Sequence, residues 1–115
     1  MVKSLYAKYV EERRGAYVIE EEYGFISFEL RPTYSTIFIR DLYILPEYRR
    51  KGLGTDITYA ILNTIDKEEL HKYKFAMANT DKTSNNWQLS EKMILANGFS
   101  LFKDFSTYRE YIRSI

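Results

Sequence analysis

TIFIRDLYILPEYRRKGLGT, residues 36–55, decides how this chain is read. Its first half, Thr36–Leu45, is β-branched and aromatic and stops at Pro46, which has no N–H for a ladder; that is the signature of a strand. Its second half places glycines on either side of Leu53, where backbone N–H groups can approach a ligand without a Cβ in the way. Beyond the turn, Leu53, Ile57, Ala60, Ile61, Thr64 and Ile65 recur at three- and four-residue steps, predicting a helix from Gly52 to Glu68. A helix N-terminus offers unpaired N–H groups and the positive end of its dipole, and Arg49, Arg50 and Lys51 add charge at the same point. Together they point to an anion site, most simply for phosphate. The spacing is not that of a P-loop, nor of the GxGxxG dinucleotide fingerprint, because Ile57 stands where each needs a glycine. The pattern present is R-x-x-G-x-G, as Arg49, Gly52 and Gly54. Alone it could be a solvated basic turn; the strand before it and the amphipathic helix after it favour a ligand.

Working outward, residues 2–14 carry Val2, Leu5, Tyr6, Tyr9 and Val10 at helical spacing with Gly15 as a stop, predicting an amphipathic helix docked on a sheet. Ala16–Glu21 and Gly24–Arg31 read as a hairpin turning near Tyr23, and Pro32 breaks the chain again. After the central helix, Tyr73–Ala78 is a short apolar strand, so the strand–helix–strand order predicts a parallel pair with a right-handed crossover. Ser84 is placed as the N-cap of a helix over Asn85–Ala96, with Asn97 and Gly98 as its exit. Phe99–Lys103 and Thr107–Ile112 form a last hairpin. The order α-β-β-β-α-β-α-β-β predicts an α/β fold on one mixed sheet, antiparallel at its ends and parallel in the middle.

At 115 residues, a single domain over 1–115 is expected. A net charge of +1 gives no electrostatic case for a nucleic-acid or membrane-surface binder, so neither partner is expected. Eleven Tyr and seven Phe suggest a core built on large rings. No cysteine is present, which excludes disulfides, zinc–thiolate sites and thiol nucleophiles, and no metal is expected. With no apolar run of signal-peptide or membrane-span length, the reading is a cytoplasmic protein.

The run Asp41–Gly54 resembles the central acetyl-CoA motif of the GCN5-related N-acetyltransferase (GNAT) family, and the likeness continues more weakly over Tyr73–Phe99. The predicted element order is similar to that family's, without its usual first strand and helix. The resemblance implies a GNAT-like acyl-CoA N-acyltransferase fold whose parallel strands splay apart. It implies that Arg49, Arg50, Lys51, Gly52, Leu53, Gly54 and Thr55 hold the coenzyme A pyrophosphate. Leu42, Tyr43 and Ile44 would run beside the pantetheine and acetyl group, and Asn85 or Asn86 would touch the pantetheine arm. The family's frequent tyrosine, four residues before the closing Gly98-Phe99, is replaced here by Ile94, with Met93 and Leu95 beside it.

The activity implied is transfer of acetyl from acetyl-CoA to a primary amine, on a small molecule or a protein, by direct attack in a ternary complex. The alternative is a degenerate GNAT-fold module that binds acyl-CoA or another protein. A free amine has a pKa near 10, so a base helps. Asp41 is the candidate, as base or as holder of a cationic substrate, against a structural Asp at a bulge or paired with Arg40. Tyr108 is the candidate replacement acid. His71 reads as a solvated surface residue, Trp87 as a core anchor, and Glu20–Glu22 as a solvated acidic edge. A homodimer is a further expectation.

Overall fold

The computed structural model describes residues 3–115; Val2, which the sequence places on the first helix, lies outside them. That helix, α1, spans Leu5–Arg14. The Ser4 hydroxyl accepts the Ala7 N–H at 3.0 Å at its start, and Gly15 ends it at φ 63°. It docks through Ala7 and Val10, which are buried, while Leu5, Tyr6 and Tyr9 are exposed. The apolar stripe that actually packs is therefore narrower than the spacing predicts.

Strands β1 (Tyr17–Glu21) and β2 (Gly24–Arg31) form the expected hairpin, with Glu22 and Tyr23 in the turn. Gly24 is obligatory there: a Cβ would sit 2.1 Å from the Tyr43 carbonyl oxygen. β3 (Thr36–Ile44) pairs antiparallel with β2, and β4 (Phe75–Asp81) pairs parallel with β3. β5 (Ser100–Asp104) and β6 (Tyr108–Ser114) close the chain as a hairpin whose second strand lies against β4. The sheet order is β1-β2-β3-β4-β6-β5, a mixed sheet of the kind the sequence predicts.

Helix α2 runs Leu53–Thr64 and α3 runs Trp87–Ala96. Ile57, Ile61 and Ile65 meet Ile26, Phe28, Ile37, Ile39 and Ile44 from the sheet. The core is thus mainly isoleucine; Phe28, Tyr73, Phe99 and Tyr111 supply its rings, while Tyr34, Tyr59 and Tyr9 are among several tyrosines left in solvent. β-branched side chains suit the centre of a sheet, and tyrosine hydroxyls favour its rim.

Several boundaries move. α2 stops at Thr64 rather than Glu68, because Ile65 is extended at φ −92°, ψ 131° to bury its side chain. Leu70–Lys72 forms a short 3-10 turn, so β4 starts at Phe75, later than the predicted Tyr73, and continues to Asp81. The Ser84 hydroxyl donates to the Asp81 carbonyl instead of capping a helix; Asn86, at φ 60°, begins α3 with no side-chain cap. Trp87 is half-buried rather than a core anchor, with the Arg109 guanidinium 5.1 Å from its ring centroid. Among the described residues no helix is long and apolar enough to cross a membrane.

Candidate active-site cleft

Pairing between β3 and β4 covers only Thr36–Ile39 against Phe75–Ala78; both strands then run on, unpaired with each other, to Ile44 and Asp81. The parting starts at a β-bulge: Ser27 faces Asp41 and Phe28 faces Ile39, leaving Arg40 as an extra residue in β3. Bulges bend the strand that carries them. The result is a cleft of about 250 Å³. Ile39, Leu42 and Thr58 line one side, Ala78, Thr80 and Ile94 another.

Above the cleft, β3 leads through the 3-10 turn Pro46–Tyr48 into α2. Arg50 (φ 64°) and Gly52 (φ 76°) both adopt the left-handed conformation. The first helical bond runs from the Asp56 N–H to the Gly52 carbonyl, so the N–H groups of Leu53, Gly54 and Thr55 precede the ladder. A Cβ at Gly52 would meet nothing within 4 Å; one at Gly54 would touch Ile44, Asn97 and Met93 at ordinary distances of 3.9–4.0 Å. Packing therefore demands a glycine at neither position, and Gly52 is required only for its backbone conformation. The three cations differ in posture. Arg49 turns back and donates from Nε to the Ile44 carbonyl at 2.9 Å, fixing the turn onto β3. Arg50 and Lys51 are exposed, with Lys51 Nζ 5.8 Å from the Tyr48 ring centroid.

Of the predicted β3 contacts, Leu42 lines the cleft, Ile44 is buried in the core, and Tyr43 lies with its ring 6.0 Å from that of Phe25. Asp41 lines the cleft as well, and its carboxylate accepts the hydroxyl of Ser27, a buried residue, at 3.2 Å. It also borders a second, smaller hollow of about 130 Å³ under α1, formed with Tyr6, Tyr9, Val10, Ser27 and Arg40. Asp41 and Arg40 are common to both cavities. Arg40 is matched in charge, since its Nη1 donates to Glu29 at 2.7 Å. Burial pushes the Glu29 carboxyl up, but hydrogen bonds from Arg31 and Arg40 outweigh it and hold the group below its ordinary range.

The structure does not bring Tyr108, Asn85 or Asn86 to the cleft. Tyr108 stacks on Phe105 with ring centroids 4.6 Å apart, and both asparagines are exposed in the loop before α3. What the sequence reading missed is the far wall. Thr80 Oγ1 lies 3.0 Å from the hydroxyl of fully buried Tyr111, which donates to Glu91. Arg109 also donates to Glu91, at 2.9 Å. The Tyr111 and Arg109 hydrogen bonds hold the Glu91 carboxyl below its usual range. Burial, then the bond to Glu91, pushes the Tyr111 hydroxyl up. The signs define opposite limbs. The Glu91 contribution is complete above the ordinary glutamate range and is lost as pH falls through its lowered value; the Tyr111 contribution is complete below about pH 10 and is lost as pH rises beyond that. Thermal unfolding followed against pH is expected to show both limbs. Glu91→Gln should flatten the acid limb in part, since Asp104 and Glu29 are held low as well.

The sequence matches the profile of the acetyltransferase (GNAT) family over residues 2–89. The chain belongs to that family. A comparison with curated proteins finds no match. Among solved structures, an acetyltransferase from Thermus thermophilus superposes with a TM-score of 0.68 at 17% identity, covering 87% of this chain and 64% of that protein. PaiA N-acetyltransferase from Thermoplasma acidophilum, in complex with coenzyme A, gives 0.62 at 15% identity, over 81% of this chain and 54% of that one. Diaminobutyrate acetyltransferase EctA from Paenibacillus lautus, in complex with L-2,4-diaminobutyric acid and coenzyme A, gives 0.61 at 16% identity, over 97% and 78%. This GNAT chain spans less than two-thirds of the length of the first two. At these identities the likeness is one of fold.

Proposed function

We propose that this GNAT domain transfers an acetyl group from acetyl-CoA to a primary amine by direct attack. The observation that carries the reading is the parting of β3 and β4 beneath a helix whose first N–H groups are free. The diphosphate of the coenzyme would rest on the N–H groups of Leu53, Gly54 and Thr55, with Arg50 and Lys51 supplying charge. Its arm would then descend beside Leu42 and the backbone of β3, whose edge toward β4 is unpaired from Arg40 onward. That edge can accept an extended chain as an added strand would be accepted.

The two cavities that meet at Asp41 suggest how the reactants divide. Acetyl-CoA occupies the cleft under α2 and α3, and the amine arrives from the hollow under α1. The Asp41 carboxylate receives an N–H of the amine. The nitrogen lone pair attacks the thioester carbonyl carbon, the C–S bond breaks, an amide forms, and one amine proton passes to Asp41 and on to water. The sulfur leaves as a thiolate and takes a proton from water. With a pKa near 8.5 for an ordinary thiol, that departure needs no strong acid, which fits an isoleucine at position 94. No covalent acyl-enzyme is required, and with no cysteine the usual carrier of one is missing.

The test uses purified protein, acetyl-CoA and a panel of primary amines, with released thiol read by a thiol reagent. Lacking cysteine, the protein contributes no background. Amine-dependent thiol release is expected. A thermal shift with coenzyme A but no release with any amine would leave a binding module; neither shift nor release would remove the reading altogether.

A further inference from the structure

Helix α1 leaves part of its apolar face unused. Ala7 and Val10 carry the docking, while Tyr6 and Tyr9, three residues apart and so on one side of the helix, are 43% and 52% exposed. Both border the hollow of about 130 Å³ that Val10, Ser27, Arg40 and Asp41 complete. A run of rings leads away from it: Tyr6 packs on Phe25 with centroids 5.3 Å apart, and Phe25 on Tyr43 at 6.0 Å. The α1 side of the sheet thus sets flat, uncovered aromatic surface beside a carboxylate.

Size and charge narrow what fits there. An apolar cavity of roughly 150 Å³ takes a benzene ring, and this hollow is of that order. Among the described residues that line it, Asp41 is the one carboxylate. Arg40, the other ionised residue of the lining, shares the Glu29 carboxylate with Arg31, so those three groups together carry one net positive charge. Glu20, which faces Phe25 across the β1–β2 ladder, accepts the Ser4 hydroxyl at 2.7 Å and does not line the hollow. A second ammonium on the acceptor would meet a cation at Arg40, and a bare alkyl chain would leave the tyrosines uncovered. We propose that the acceptor is an arylalkyl monoamine, with its nitrogen at Asp41 and its ring against Tyr6 and Tyr9, so that these two tyrosines set the specificity of the transfer. Aromatic pairs add to what burial alone supplies, and one positive charge is all that the hollow can match. The bonds made and broken are unchanged: nitrogen joins the acetyl carbon, the C–S bond opens, and one amine proton leaves through Asp41.

This assignment rests on amine acetylation at Asp41, and the test keeps the two apart. Thiol release from acetyl-CoA would be followed with ethylamine, 2-phenylethylamine, 2-cyclohexylethylamine and 1,4-diaminobutane. In wild type, kcat/KM for 2-phenylethylamine should exceed that for ethylamine by about ten- to a hundredfold, the worth of burying a phenyl group, chiefly through KM. The cyclohexyl amine should fall about two- to tenfold below the phenyl one, since it keeps the burial and loses the ring pairing. The diamine should fall below ethylamine. Tyr9→Ala should cut the phenylethylamine-to-ethylamine ratio about tenfold, and Tyr9→Phe should keep it. The ratio is taken within one preparation, so it stays readable in a variant that folds poorly, and a merely structural role for Tyr9 would lower both rates and leave it in place. A ratio near one in wild type would overturn the assignment while the transfer reading stands. So would turnover of the diamine or the cyclohexyl amine at or above that of 2-phenylethylamine, or a ratio unmoved by both Tyr6→Ala and Tyr9→Ala. No thiol release with any amine would overturn the transfer reading and this one with it.

Discussion

Gly52→Glu is expected to weaken coenzyme A binding by about a hundredfold or more while leaving the protein folded. Gly52 caps α2 in the left-handed conformation, φ 76° and ψ 5°, and a Cβ there would meet nothing within 4 Å. In the free protein the substitution therefore costs only the backbone strain of a side chain at positive φ, about 1–2 kcal/mol. In the complex it acts differently. The carboxylate stands where the helix N-terminus would receive a diphosphate, replacing a positive field by a negative charge. Two like charges 4 Å apart repel by roughly 4 kcal/mol at an effective dielectric of 20. Affinity should fall by about a hundredfold or more. Gly52→Ala isolates the backbone component, since it carries the same strain with no charge, and its loss should stay within about tenfold. Calorimetry with coenzyme A and thermal melts of the free variants check both halves. Equal affinity of Gly52→Glu and wild type would remove the anion from this turn.

The contrast between these glycines also shows how far the sequence could be read. The strand over 36–44, the turn and the helix after it announce themselves through local chemistry: β-branched residues, a proline without N–H, glycines beside a basic run. Those are one-dimensional signals, and the fold class follows from them; the splay is implied by the family resemblance. The β3 bulge is not legible, because it exists only in the pairing of Ser27 with Asp41 and of Phe28 with Ile39. Asn79, Thr80 and Asp81 lie beyond the predicted strand end at Ala78, yet they pair with Glu110, Arg109 and Tyr108 and line the cleft. Tyr108 and Tyr111 share one strand and one residue type. Only the fold separates the first, stacked on Phe105 at the surface, from the second, sealed between Thr80 and Glu91. Asn97 reads as a helix exit, and it is one; that its Oδ1 has no partner depends on Met93, Arg113 and the first turn of α2 converging around it. Asn85 and Asn86 are exposed in the loop before α3. The polar turn from Asp81, where the Thr83 N–H and hydroxyl both bond the Asp81 carboxylate, delays the helix and leaves them in solvent.

Asp41→Asn is expected to lower the turnover number about a hundredfold, the lower end of what a positioned base contributes, with coenzyme A affinity unchanged. The substitution is close to isosteric. Ser27, buried beneath Asp41, keeps a partner, because the amide oxygen of Asn can accept the hydroxyl that the carboxylate accepts now. Stability should therefore move little. What changes is the charge at the one group shared by the two cavities that can take a proton. Arg40, the other shared residue, is a cation already spent on Glu29, and it cannot replace a carboxylate in drawing an ammonium toward the thioester. The two roles open to Asp41 separate kinetically. If it only holds the ammonium, Asp41→Asn raises the KM for the amine and leaves kcat in place; if it also receives the proton, kcat falls at saturating amine. A fall in kcat is the expected result, and it should diminish as pH approaches the amine's own pKa near 10, where free amine no longer needs a base. Unchanged kcat and KM for every amine turned over by wild type would place the chemistry elsewhere in the cleft and return Asp41 to a structural role at the bulge.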